Sequence, residues 1–495
     1  MAVVSGETTP RRTKLVCTIG PATSQTETQV QLIRSGLDVA RLNFSHGTHE
    51  THREVYDSIR HAEAEVGKPV AVLQDLQGPK IRLGRLGQAV TLSPGDALVL
   101  SSRNDFIGES GRLPTTYERL AEDVRVGEPI LLADGRLHLD IQRIDGTDVH
   151  TTVKVGGVVS SGKGINLPGT QISVPSLSDK DLRDLEFGLN LGVDYVALSF
   201  VRTPHDILML REQMRRLGRI VPIVSKIEKP QAVQYLEGIV DEGDGIMVAR
   251  GDLGVELPPE QVPRVQRQAI KLARGRAKIS IVATQMLMSM VEHARPTHAE
   301  VSDVANAVFD GADAVMLSDE TAMGQYPIRT VEIMAALAQA AERSADARSA
   351  PEFVDAIRNS HAWAISRAAV VTAQETRAAA IVSYTQFGLG PRLIGTWRPP
   401  SDILGCGTSD EELRRMALYW GVRGVKIPVP DSIESLVASV EQAALDSKLL
   451  QEGDTVIITS KMPFTDDEVT NMLKIHAIRR FGRSNRPDTT DRAVD

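Results

Sequence analysis

Four short polar segments, Ser225-Lys-Ile-Glu228, Ala249-Arg-Gly-Asp252, Ala283-Thr-Gln285 and Ser318-Asp-Glu320, each follow one of four successive apolar runs. Run after run ending in a charged or hydroxylic group is the pattern of an active site, because in a βα barrel all strand C-termini meet at one mouth. The shared pocket would hold a lysine, an arginine, a threonine and two carboxylates. Glu228 and Asp252 end neighbouring runs and are placed to share one hard divalent cation, with waters and substrate oxygens as its other ligands. Lys226 follows the apolar Val221–Ser225 and points from the barrel wall into the mouth, where its ammonium neutralises developing negative charge.

The elements that must position these groups can be counted. Apolar runs ended by turn residues occur at Lys14–Ile19, Asp38–Phe44, Val70–Leu76, Tyr195–Val201, Val221–Ile227, Gly245–Ala249, Ile279–Ala283 and Asp313–Leu317. Most precede a stretch of helical periodicity, which predicts a (β/α)8 barrel over 12–78 and 175–345. The alternation stops over 79–174, where short β segments and Gly, Pro and Asp turns predict an inserted β-barrel domain placed as a lid over the mouth. A second α/β pattern over 352–480 predicts a C-terminal domain, with strands near Ala380–Tyr384, Ile403–Gly405, Val425–Pro428, Thr455–Thr459 and Lys474–Ile478. The linker is expected at Ser344–Pro351. The polar ends 1–11 and 481–495 have little to bury and are expected to be mobile.

Bulk properties narrow the class. The 495 residues are 42% hydrophobic, enough for two or three domains with separate cores. Cys17 and Cys406 lie in strand-like surroundings of different domains and read as buried thiols, not a disulfide, which fits a reducing cytoplasm. No signal segment opens the chain, and no apolar stretch reaches the ~20 residues of a membrane helix, so no membrane role is expected. A net charge of −8 and 4% aromatic content argue against nucleic-acid binding and for a small-metabolite partner.

Arg41-Leu-Asn-Phe-Ser-His-Gly47, Gln77-Gly-Pro-Lys-Ile-Arg82, Ser225-Lys-Ile-Glu228, Met247-Val-Ala-Arg-Gly-Asp-Leu-Gly-Val-Glu256 and Ala283-Thr-Gln-Met-Leu287 resemble the motifs of pyruvate kinase, in its order and spacing, from about Thr13 to Ile478. The resemblance implies a barrel, a lid inserted after strand three, a regulatory C-terminal domain and a homotetramer. It also implies transfer of the phosphoryl group of phosphoenolpyruvate to ADP, followed by protonation of the enolate to pyruvate. By resemblance, Glu228 and Asp252 hold Mg²⁺ or Mn²⁺, Arg41 and Lys226 meet the phosphoryl group, and Gly251 and Asp252 open a segment whose N–H groups receive the substrate carboxylate. Thr284 and Ser318 belong to the proton relay, while His46, Arg82, Lys163 and Asn43 face the nucleotide.

Asn43, Ser45, Asp75 and Leu76 match a site that holds K⁺ in many family members, which carry an acidic residue where this chain has Lys80. An ammonium there repels a second monovalent cation, and Leu76-Gln77 resembles the branch that works without potassium, so K⁺ is not expected to be required. Other departures are Asp319 in place of a glycine, His298 in place of an arginine and Met288 in place of an acid. In the C-terminal domain Thr385-Gln-Phe-Gly-Leu-Gly-Pro391 has lost most hydroxyls of a phosphate-cradling loop, and Lys461-Met-Pro463 replaces a glycine-containing turn. Arg392, Arg398 and Lys461 can form a cationic patch, and a phosphorylated effector other than fructose 1,6-bisphosphate, or no effector, is expected. Two further readings are a low-activity paralogue with a regulatory or partner-binding role, and a metal-dependent lyase or aldolase acting on pyruvate enolate.

Overall fold

The computed structural model describes residues 10–170, 172–344, 353, 357, 360–386, 388–446, 449–464 and 470–479. The expected linker beyond Ser344, the tail over 481–495 and most of the N-terminal segment lie outside the described residues. Arg11 was expected in that loose segment but is held: its guanidinium meets Asp38 at 2.7 Å. Burial alone would raise the Asp38 pKa, yet Arg11 and Lys68 outweigh it and hold this carboxyl well below the usual range. The chain divides into two compact units, 1–354 and 355–495.

In the first unit β1 (Lys14–Thr18), β2 (Val39–Asn43), β3 (Ala71–Asp75), β4 (Tyr195–Leu198), β5 (Ile223–Ile227), β6 (Gly245–Ala249), β7 (Ile279–Ala283) and β8 (Ala314–Leu317) close a parallel barrel in sequence order. β1 completes it by pairing with β8, Val16 opposite Met316. All eight expected runs became barrel strands. Nearly every strand residue is buried, because helices cover the outer face and side chains fill the interior; such strands read as continuous apolar runs. Each starts or stops within a few residues of its expected limits, where a polar residue leaves the wall.

Between β3 and β4 the chain builds a six-stranded sheet and a two-stranded sheet. A separate apolar cluster that includes Leu98, Leu113, Ile130, Leu139 and Val149 holds them together. This sheet-rich insert returns to the barrel through polar contacts to backbone carbonyls. Arg202 Nη2 donates to Val174 O at 2.7 Å and Gln231 Nε2 to Thr170 O at 3.2 Å.

The second unit carries β9 (Ala380–Tyr384), β10 (Asp402–Gly407), β11 (Val422–Lys426), β12 (Thr455–Ser460) and β13 (Met472–Ala477) in the order β11-β10-β9-β12-β13. All neighbours are parallel except β12 and β13. The expected strand at Val425–Pro428 begins three residues earlier: Val422 pairs with Ile403, and polar Arg423 with Gly424 had masked the start. Pro428 has no N–H to extend the ladder.

Candidate active site

Arg41, on β2, and Asp75, ending β3, form one side of the mouth, with Arg41 Nε donating to Asp75 Oδ2 at 2.7 Å and Nη1 to Thr18 Oγ1 at 2.8 Å. Lys226, on β5, donates to Ser199 Oγ at 2.7 Å. Its ammonium lies 3.4 Å from Asp75 and 3.4 Å from Glu228. Burial draws the Lys226 pKa down, but the two carboxylates outweigh it and keep the ammonium charged above its ordinary range. Asp75 is pushed up by burial and pulled further down by Lys226 and Arg41.

Glu228 behaves in the opposite sense. Burial raises its pKa, Lys226 opposes that, and Asp252 adds to it, leaving the carboxyl above its usual value. One oxygen, Oε1, accepts the Phe200 N–H at 2.6 Å. The other, Oε2, is buried with no hydrogen-bond partner among the described residues. A carboxylate oxygen that accepts no hydrogen bond and meets only the Lys226 ammonium at 3.4 Å, beside a second carboxylate, fits a hard cation, and one or two carboxylates completed by substrate and water is the donor set of Mg²⁺. Among the described residues no group of three or more His, Cys, Asp or Glu forms a fuller protein cage.

The turn after β7 places two consecutive non-glycine residues in the left-handed region, Thr284 at φ 68° and Gln285 at φ 55°. Such backbone costs about 1–3 kcal/mol per residue and persists only where its surroundings hold it. Arg250 provides the clamp, donating from Nη2 to Thr284 O at 2.8 Å and Gln285 O at 3.2 Å, and from Nη1 to Asp303 at 2.6 Å. The arginine expected to face the pocket is therefore a buried brace. Thr284 Oγ1 donates to Ala283 O at 2.6 Å and accepts the Gly251 N–H at 2.7 Å. A Cβ on Gly251 would stand 3.3 Å from that hydroxyl, so glycine lets the two segments close.

Ser318 directly follows β8 with its hydroxyl buried and without a hydrogen-bond partner among the described residues, and its N–H donates to Glu320 Oε2 at 2.7 Å. Burial raises the Glu320 pKa. Asp319, exposed at the start of the short helix Asp319–Ala322, is not among the left-handed residues, so glycine's conformational freedom is not needed there. Nothing in the structure explains His298 or Met288.

His46, Arg82 and Lys80 share a second part of the mouth. Burial, then the charges of Arg82 and Lys80, lower the His46 pKa. Arg82 Nη1 donates to Gly162 O at 2.9 Å, and Leu83 N–H to Lys163 O at 2.8 Å, setting Arg82 and Lys163 on adjacent segments of the insert. Asn43 Oδ1 accepts the Ser45 N–H at 3.2 Å, and Leu76 O accepts from Ser199 Oγ at 2.7 Å. Ser199 and Phe200 were missed in the sequence because they fall inside the expected run Tyr195–Val201, although Ser199 is the polar residue directly after the strand Tyr195–Leu198. Phe200, at φ 55°, aims its N–H at Glu228 through a backbone that side-chain type does not signal.

In the C-terminal unit the expected cationic patch does not include Arg398, which is 2% exposed and lies 4.4 Å over the Trp420 ring. Lys461 Nζ donates to Gln386 at 2.6 Å beside a small cavity of about 50 Å³ lined by Tyr384, Thr385, Leu389 and Thr470. Phe387, within the expected cradle loop, lies outside the described residues.

Comparison with known proteins converges on one family. The family described as pyruvate kinase, barrel domain, matches residues 10–331, and the pyruvate kinase alpha/beta domain matches 363–476. The pyruvate kinase of Mycobacterium intracellulare is 46% identical over 468 residues, covering 94% of this chain and 98% of that protein. The pyruvate kinase of Geobacillus stearothermophilus is 40% identical over 473 residues, covering 94% of this chain and 80% of the relative. The crystal structure of a pyruvate kinase from Cryptosporidium parvum superposes with a TM-score of 0.88 at 34% identity, covering 95% of this chain and 96% of the other. Barrel, insert and C-terminal sheet, together with these matches along nearly the whole chain, show that it belongs to the pyruvate kinase family.

Proposed function

We propose that this chain transfers the phosphoryl group of phosphoenolpyruvate to ADP and protonates the resulting enolate, giving ATP and pyruvate. The observation that carries the reading is Lys226, a charged ammonium buried between Asp75 and Glu228 at 3.4 Å from each. A fixed cation in a dry pocket stabilises charge as it develops, without solvent reorganisation.

Arg41 and Lys226 face the transferring group from adjoining parts of the wall, and Glu228 with Asp252 are the residues to hold Mg²⁺ or Mn²⁺. When bound, that ion supplies Lewis-acid neutralisation of substrate oxygens. The Gly251–Asp252 segment receives the substrate carboxylate, and His46, Arg82, Lys163 and Asn43 meet the nucleotide. An ADP phosphate oxygen attacks phosphorus, the bond to the enol oxygen breaks, and the enolate carbon takes a proton. Thr284 and Ser318 serve as relay members. The Thr284 proton is committed to Ala283 O, so it must reorient before it donates, whereas Ser318 Oγ has no competing partner among the described residues.

The same reading assigns 12–78 and 175–345 to the catalytic barrel, 79–174 to the lid and 352–480 to a regulatory domain, in a cytoplasmic homotetramer. Lys80 replaces K⁺ at the site framed by Asn43, Ser45, Asp75 and Leu76, a reading that rests on the lysine standing where an acidic residue is carried by the potassium-dependent pattern. A phosphorylated ligand of the Lys461 cavity remains part of the proposal.

A coupled assay of pyruvate formation with Mg²⁺, in K⁺ and in a bulky organic monovalent cation, tests the reading. Equal turnover in both supports it; a rise of about tenfold in K⁺ refutes the Lys80 assignment. Absent turnover with intact substrate binding favours the paralogue, and absent stabilisation by ADP favours the enolate lyase.

A further inference from the structure

Lys229 and Glu256 form a buried ion pair at 2.5 Å, with side chains 8% and 1% exposed. The Glu256 oxygen that meets Lys229 also accepts from Asn166 Nδ2 at 3.0 Å. Asn166 belongs to the insert, on the strand Ile165–Asn166, close in sequence to Lys163. The three residues thus join three functional segments. Lys229 directly follows Glu228, and its ammonium also lies 5.3 Å from the ring centroid of Phe200, whose N–H holds Glu228. Glu256 ends the helix Arg250–Glu256, whose first turn carries Gly251 and Asp252.

We infer that Glu256 is a positioning residue that ties the lid to both carboxylate-bearing segments, so that the nucleotide residues Arg82 and Lys163 come into register with Glu228 and Asp252. None of the three touches the reacting atoms. A buried carboxylate needs its cation, so Lys229 and Glu256 hold each other in place whether or not the lid is seated. The lid adds one hydrogen bond to an already charged acceptor, a stronger contact than a neutral one. Val255 packs in the same place: a Cβ on Gly135 of the insert would come within 3.3 Å of it. The lid therefore bears on the last turn of the helix that presents Asp252.

The inference rests on the pyruvate kinase reading. Its test uses Asn166→Ala, which cuts the lid contact and leaves the ion pair, and the exchange Asn166→Asp with Glu256→Gln, which keeps one charge and one hydrogen bond with their owners swapped. ADP affinity is measured by calorimetry in Mg²⁺, beside KM for ADP and phosphoenolpyruvate, Mn²⁺ affinity by electron paramagnetic resonance, and melting temperature. Asn166→Ala is expected to weaken ADP binding and raise its KM about tenfold, the scale of one hydrogen bond to a charged group, with KM for phosphoenolpyruvate and Mn²⁺ affinity unchanged within about twofold. Glu256→Gln alone is expected to weaken Mn²⁺ as well, and the exchange to recover part of both losses. Unchanged ADP affinity in Asn166→Ala overturns the inference, as does a uniform fall in every parameter with the melting temperature, or an exchange that restores melting but not ADP affinity. A wild type that binds ADP without turnover defeats the kinase reading and leaves the ADP-affinity comparison legible.

Discussion

Replacing Lys226 by methionine keeps the unbranched stem, one atom shorter, and removes the charge. At 3.4 Å from each of two carboxylates, and with an effective dielectric of about 20, the gross attraction is about 5 kcal/mol per carboxylate. Burial and the nearby Arg41 oppose part of it. What remains is a cation held in place for charge that appears only during reaction. Loss of one preorganised donor costs roughly 10²–10³ in kcat, and a buried ammonium belongs at the upper end or beyond. Lys226→Met is therefore expected to lower kcat by at least about 10³ in a coupled pyruvate assay at saturating substrates, while KM for phosphoenolpyruvate rises less than about tenfold because Arg41 remains. The fold should survive, since Asp75 keeps Arg41 at 2.7 Å and Glu228 can take up a proton. A kcat within tenfold of wild type would refute the electrostatic argument, and equal loss of metal-free stability and activity would recast Lys226 as structural.

Glu228→Gln should raise the Mg²⁺ needed for half-maximal rate by about tenfold or more, yet raise the metal-free melting temperature at neutral pH. The Glu228 pKa is raised on folding, so its favourable contribution exists below the unfolded value near 4.3 and is lost as pH climbs through the folded one; a lower metal-free melting point would contradict this. His52 stacks on Phe44 with centroids 4.0 Å apart and bonds His46 O at 2.9 Å, and burial lowers its pKa. Its contribution is in place above the unfolded value of about 6.5 and is lost as pH falls through the lowered folded one, so His52→Gln should lose about 1 kcal/mol of packing and show a smaller drop in melting temperature between about pH 7.5 and 5.5. Cys17 and Cys406 are free and buried, with burial pushing the Cys17 thiol far up and Cys406 up to about 12. An aromatic disulfide reagent should find neither thiol in the native protein and both after denaturation.

The barrel was legible because its strands are buried on both faces and stay apolar to the residue where function begins. Lys226, Glu228, Thr284 and Ser318 stood out for the same reason, each lying in the short polar segment that follows an apolar run. Ser199 obeyed that rule and was passed over because Leu198-Ser-Phe-Val201 reads as one continuous run. Arg250 was misread because pattern places a residue at the mouth but does not say where a long side chain turns; the left-handed Thr284 and Gln285 beneath it decide that. Arg398 shows the converse, a charge that sequence assigns to the surface and an indole ring takes inside. The Asn166–Glu256–Lys229 contact joins residues 90 and 27 positions apart, and no periodicity carries such a pairing.

The most direct measurement is phosphorus NMR of the wild-type protein with phosphoenolpyruvate, ADP and Mg²⁺, followed until the signals stop changing. The account predicts loss of the phosphoenolpyruvate resonance with equal growth of the ATP γ-phosphate, and pyruvate in the same amount. Loss of phosphoenolpyruvate to inorganic phosphate, or no change while both substrates are bound, would contradict it.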